Sequence, residues 1–212
     1  MVLSRQRGTY LLGKTAAHLG AATPLALLVL QVLQRPESLG ANPIAALTDQ
    51  LGLWALRLLL LTLTITPLRL WTQHSAWLRY RRLLGLWAAA YAALHLLMYV
   101  AVDQRFAGSV LLEDVIKRPW ITLGLATALL LLALSVTSTR ALMRRLGRRW
   151  QTLHYAIYPA AVGALWHYAW QVKKDLRAPL TYAAVFVLLM ALRLAKRSFR
   201  ARFAPAITPG RT

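Results

Sequence analysis

Six apolar runs divide the chain, and short polar stretches rich in arginine separate them. The runs cover about residues 11–33, 51–68, 83–102, 120–139, 150–172 and 179–195. A run of about 20 apolar residues is long enough to cross the hydrocarbon core of a bilayer as an α-helix. The pattern therefore predicts an all-α integral membrane protein, a six-transmembrane-helix bundle forming one domain over residues 1–212. The first run lacks a small-residue cleavage site and reads as a retained span, not a signal peptide. The connecting stretches are too short for a folded extramembrane domain. No internal repeat or low-complexity segment stands out.

Composition sharpens this picture. At 58% hydrophobic residues with a mean hydropathy of +0.47, the chain is not a soluble domain. It has no cysteine, which excludes disulfides, thiolate metal sites, iron–sulfur clusters and covalently attached heme. A net charge of +20 first suggests nucleic acid. The cations, however, lie in short clusters between the apolar runs, so the partner they imply is the lipid bilayer, not nucleic acid. Eighteen of the 26 Lys and Arg fall on the N-terminus, the second and fourth connections and the tail, and all 6 acids fall on the other connections. Cytoplasmic loops carry the excess of Lys and Arg, so both termini are expected in the cytoplasm. Trp71, Trp77, Tyr80, Trp120, Trp150, Tyr168 and Trp170 sit near span ends, as interfacial aromatics do.

Candidate chemistry rests on histidine. The fifth run carries two of the 5 histidines, His154 and His167. An intramembrane imidazole is costly to hold and marks a functional position. At 1.5 Å per residue the two lie about 20 Å apart along the helix, one near each membrane face. His95, in the third run, is about 10 Å from the outer face and His167 about 8 Å from it. Two imidazoles matched in depth on different helices suit the two axial positions of one noncovalent b-type heme. The alternative is that each histidine hydrogen-bonds a neighbouring helix. Thirteen residues at 100° each turn His167 about 140° away from His154 on an ideal helix. A kink or π-type distortion is therefore expected at Tyr158-Pro159, where the proline frees a backbone carbonyl. For His154 the available partner at its depth is His18, giving a candidate second heme; an open iron position, a flavin or quinone pocket and a plain hydrogen bond remain alternatives. His74 falls in a loop. Arg57 lies inside the second run and needs an anionic partner, for which a heme propionate and a water-bridged or snorkelled side chain are the two readings. The clusters Arg79-Tyr80-Arg81-Arg82 and Arg144 to Arg149 suit topology, anionic lipid or a flavin phosphate.

Several stretches carry a resemblance: ITPLRL at 65–70, RRLLGLWAAAYAALHLLMY at 81–99, KRPWITLG at 117–124, STRALMRRLGRRWQTLHYAIYP at 138–159 and LWHYAWQVK at 165–173. Together they resemble the MsrQ (YedZ-type) family, within the ferric-reductase-like transmembrane group, over nearly the whole chain. The resemblance implies a six-helix b-type cytochrome of the bacterial inner membrane with one or two hemes b, and His95, His154 and His167 as heme ligands. It implies FMN as a further cofactor. Electrons come from the quinone pool or a flavin reductase on the cytoplasmic side. They pass to a periplasmic molybdopterin-dependent methionine-sulfoxide reductase subunit, which repairs oxidised periplasmic proteins. The wider group carries two histidines on the third span, where this chain has only His95. No catalytic acid, base or nucleophile is identified, so the chain is read as an electron-transfer subunit and not as the sulfoxide-reducing one. The rival readings are a stand-alone ferric or quinone reductase and a heme-free transporter or assembly factor.

Overall fold

The computed structural model describes residues 2–172 and 175–202. Lys173, Lys174 and Arg211, which enter the charge asymmetry, lie outside the described residues. Every regular element among the described residues is helical. The chain runs α1 (Val2–Gln34), α2 (Pro43–Thr72), α3 (Leu78–Leu97), α4 (Gly108–Lys117), α5 (Pro119–Val136), α6 (Arg140–Leu146), α7 (Arg148–His154), α8 (Ile157–Gln171) and α9 (Arg177–Arg202). Short 3-10 turns precede α2 and α3, and a π-helical turn, Met98–Asp103, closes α3.

Among the described residues, five helical stretches are long and apolar enough to cross a membrane: Tyr10–Gln34, Pro43–Thr72, Ser75–Asp103, Pro119–Val136 and Arg177–Ala195. The expected span at 150–172 is instead divided between α7 and α8. The helices also run well past the apolar runs that announced them, α2 by two turns at its start. There Asn42 caps the helix by accepting from the amide of Ala45, and Pro43 fills the first position, where no donor is needed.

α2 and α3 form the centre. Leu59, Leu63, Ala88, Tyr91 and Ala161 are all but sealed from solvent there, and α1, α5, α8 and α9 pack around them. The outer faces of α1 and α9 carry exposed apolar side chains, among them Leu12, Leu19, Leu33, Val187 and Leu194. In water such faces are a liability; against lipid they are the natural surface.

Three prolines interrupt long helices, and each is handled differently. Beside Pro24 in α1, the Tyr91 hydroxyl donates to the Ala21 carbonyl and accepts from the Leu25 amide, both at 2.9 Å. It stands between the two groups that a regular helix would pair directly. In α2, Pro67 has no amide to offer the Leu63 carbonyl. The Arg193 guanidinium, from α9, donates to that carbonyl and to the Tyr158 hydroxyl, lying 5.3 Å from the Tyr158 ring centre. Arg193, counted with the tail when charges are read along the sequence, is thus inside the bundle. The third proline, Pro159, leaves the Tyr155 carbonyl without its i+4 donor. Here the chain tightens into i→i−3 bonds, Ala156 to Leu153 and Tyr158 to Tyr155, and α7 ends where α8 begins. The distortion expected at Tyr158-Pro159 therefore falls at Tyr155–Ala156, one turn earlier, where the deprived carbonyl is.

Candidate heme site

His95 and His167 meet at one end of the bundle, between the end of α3 and the end of α8. Their ring centres are 6.1 Å apart and their planes cross at 76°. Each ring is tied back to a helix beside it. His95 Nδ1 donates to the Thr48 carbonyl at 2.8 Å, and His167 Nδ1 donates to the Trp120 carbonyl at 2.7 Å. That fixes the proton on Nδ1 and leaves Nε2 as the free lone-pair nitrogen of both rings. Among the described residues neither Nε2 has a hydrogen-bond partner.

The two arms are built alike. One turn beyond each carbonyl sits a glycine, Gly52 and Gly124, and each ring lies against it. A Cβ on Gly52 would meet His95 Nδ1 at 2.9 Å, and one on Gly124 would meet His167 Cε1 at 2.6 Å. Both imidazole–carbonyl pairs span 47 residues of chain. The sequence repeats in step: Leu51-Gly52-Leu53 and Leu123-Gly124-Leu125, then Ala88-Ala89-x-x-Ala92-x-x-His95 and Ala160-Ala161-x-x-Ala164-x-x-His167. The small alanines let α3 and α8 approach closely. Along the sequence this internal correspondence does not stand out as a repeat, because its matching positions are few and widely spaced. The shared Leu-Gly-Leu is the signal that reveals it.

Two bonds of about 2 Å from a metal to imidazole nitrogens on opposite sides bring ring centres to roughly 6 Å apart. The observed separation, the free Nε2 atoms and the matched back-bonding fit a six-coordinate heme iron. Leucine and alanine dominate the core of the bundle that carries the pair. The Asp49 carboxylate, next to Thr48 and exposed, is close enough to act electrostatically on both rings.

The other candidates are not drawn into this site. Arg57 lies on the far side of α2, about 140° round from Gly52. Its Nε donates to the Tyr182 hydroxyl at 2.8 Å and its guanidinium sits 4.7 Å over the Trp54 ring. These contacts are a charge-assisted hydrogen bond and a cation–π contact, and a heme propionate as partner of Arg57 stays a proposal.

His154 and His18, the candidate pair for a second heme, make separate contacts here. His154 stacks on Trp150 with ring centres 3.9 Å apart, and its nitrogens contact the Trp150 carbonyl and the Ser138 hydroxyl. His18 accepts the Trp87 indole proton on Nδ1 at 3.0 Å, between α1 and α3. The physical reason is helix placement: α1 packs on α3 and α2, whereas α7 sits beyond the end of α5. The break in the fifth run does bring His154 and His167 against the two ends of the same helix, Ser138 just past α5 and Trp120 at its start. His74 is exposed in the connection before α3.

Residues 51–165, more than half of the chain and including Gly52, His95, Trp120 and Gly124 but neither Thr48 nor His167, match the model of the ferric reductase like transmembrane component. The chain belongs to that family. Within it the chain is similar to proteins named protein-methionine-sulfoxide reductase heme-binding subunit MsrQ. That of Xanthomonas campestris pv. campestris (strain 8004) is 43% identical over 199 residues, covering 92% of this chain and 91% of the relative. That of Xanthomonas axonopodis pv. citri (strain 306) is 45% identical, covering 87% and 86%. That of Rhodospirillum rubrum is 50% identical over 157 residues, covering 74% of this chain and 76% of the relative.

Proposed function

We propose that this chain is the heme-binding membrane subunit of a methionine-sulfoxide reductase system and carries electrons across the bacterial inner membrane. The observation that carries the reading is the His95–His167 pair, held 6.1 Å apart with both Nδ1 atoms tied back. A b-type heme between them supplies one-electron redox chemistry. The Thr48 and Trp120 carbonyls fix tautomer and ring plane, and hydrogen bonds of this kind raise ligand basicity. Gly52 and Gly124 give the rings room to lie back. The leucine and alanine core keeps water and competing ligands away.

In this reading the divided α7–α8 stretch also crosses the membrane, as the fifth of six spans, and both termini are cytoplasmic. Electrons enter at the cytoplasmic end, from the quinone pool or from FMN reduced by a flavin reductase. The cationic α6–α7 surface, with Arg145, Arg148 and Arg149, supports an anionic flavin there. His154 is the candidate for a further ligand or relay at that end. At the periplasmic end, α4 offers a docking face for a molybdopterin-dependent reductase. The buried Asp114 anchors it, accepting from Tyr99 and pairing with Arg118 at 3.1 Å, while Leu112 and Ile116 stay exposed.

The test is the optical spectrum of the purified protein. Dithionite is expected to produce a b-type α band that His95→Ala and His167→Ala each abolish. A colourless but folded protein, or a band indifferent to both substitutions, overturns the reading. Electron delivery to the sulfoxide reductase subunit, compared with delivery to ferric chelates, separates a dedicated subunit from a stand-alone reductase.

A further inference from the structure

At the end of the bundle opposite the His95–His167 pair, α1 and α3 enclose a groove of about 560 Å³. Its lining changes character along the helix axis. Lys14, Arg79, Arg82 and Arg140 gather at its polar end, and no acid lines it. Leu83, Leu86, Ala90 and Trp87 continue it toward the middle of the bundle. From Arg79 to Ala90 this stripe rises about 16 Å on α3. Arg79 is steadied over the Tyr10 ring at 4.9 Å, so the cationic end bridges both helices. Lys14, Arg79, Arg82, Arg140 and Ala90 are exposed, which makes the groove open sideways. His18, which finds no partner in His154, lies within it. Because Nδ1 accepts from Trp87, the proton of neutral His18 is on Nε2, an additional donor below the cations.

We propose that this groove binds one anionic glycerophospholipid. Charge complementarity selects the head: four cations without a carboxylate suit a phosphate that bears net negative charge. The gradient selects a lipid over a soluble phosphate. Charge lies at the level of the bilayer surface and the apolar wall extends inward from it, as phosphate and acyl chain do. A soluble flavin phosphate has no use for an apolar slot open to the hydrocarbon. The site holds α1, otherwise thinly attached, against α3.

Native mass spectrometry of the full-length protein in mild detergent, titrated with phosphatidylglycerol or phosphatidylcholine, tests this. One phosphatidylglycerol per chain is expected to survive, with phosphatidylcholine at least tenfold weaker. The variant R79Q/R82Q/R140Q should lose at least tenfold, whereas R144Q/R145Q/R149Q, with the same charge change on the α6–α7 surface, should retain the lipid. Ala90→Trp, on the exposed rim, blocks the apolar end without altering charge and should also release it, which keeps the proposal testable if the triple variant does not fold. Equal loss in both triple variants, equal retention of the two lipids, or displacement of the lipid by FMN overturns the proposal. Heme retention is read separately from the spectrum: a colourless chain that holds phosphatidylglycerol sinks the electron-transfer reading and leaves the groove standing.

Discussion

The α2–α3 arm and the α5–α8 arm present the same imidazole in the same way, yet they differ in how they treat proline. In the first arm Pro67 deprives Leu63, and Arg193 reaches in from α9 to satisfy that carbonyl, so α2 continues unbroken for 30 residues. In the second arm no side chain among the described residues reaches the Tyr155 carbonyl, and the helix divides into α7 and α8. The lesson is that a proline in a membrane helix does not by itself set the outcome. A donor from outside the helix keeps it whole, and without one the backbone re-pairs within itself at the cost of a break, since lipid offers no replacement. Continuity in one arm and a break in the other place His167 level with His95 while sending His154 out to the end of α5.

If the arms are equivalent at their outer ends, steric insult should hurt both. After loss of either histidine, the largest effect is expected from Gly124→Ala, then Gly52→Ala, in the order of the contacts an added methyl would make, 2.6 and 2.9 Å. Both should shift the low-spin electron paramagnetic resonance signal and lower heme retention several-fold on heating. Indifference at one glycine breaks the equivalence. Arg193→Leu should next destabilise the fold by about 2–3 kcal/mol in thermal unfolding, because it strands the Leu63 carbonyl and the Tyr158 hydroxyl. Adding Pro67→Ala, which restores an amide donor to α2, should recover part of that loss; no recovery would undo the link between Pro67 and Arg193. Tyr91→Phe, leaving α1 to re-pair Leu25 with Ala21, should cost only about 1 kcal/mol. Smallest of all, His154→Ala should leave the α band of the outer site unchanged, since its nitrogens are engaged by Trp150 and Ser138.

Much of this was readable along the chain. Long apolar runs need helices in a bilayer, and the level match of His95 and His167 follows from rise per residue alone. What escaped depends on neighbours that sequence distance conceals. Arg193 sits near the end of an apolar run, where a cation ordinarily belongs to the surface, and only the deprived carbonyl of another helix explains its burial. Arg57 was expected to need an anion, but Tyr182 and Trp54 surround the guanidinium with a hydroxyl and ring faces. His18 and His154 share a depth without sharing a side of the bundle, because depth fixes one coordinate and helix order fixes the others. The proline distortion was foreseen, but its position follows the carbonyl four residues earlier, not the proline.

The Tyr91 hydroxyl has a consequence for how the bundle assembles. It bridges residues 66 and 70 positions away from it in the chain, so α1 is synthesised long before its bridge exists. Until then Leu25 and Ala21 can satisfy each other as an ordinary helical pair. Docking trades that internal bond for two across the interface, so the first helix can be locked in place only after the third has been made.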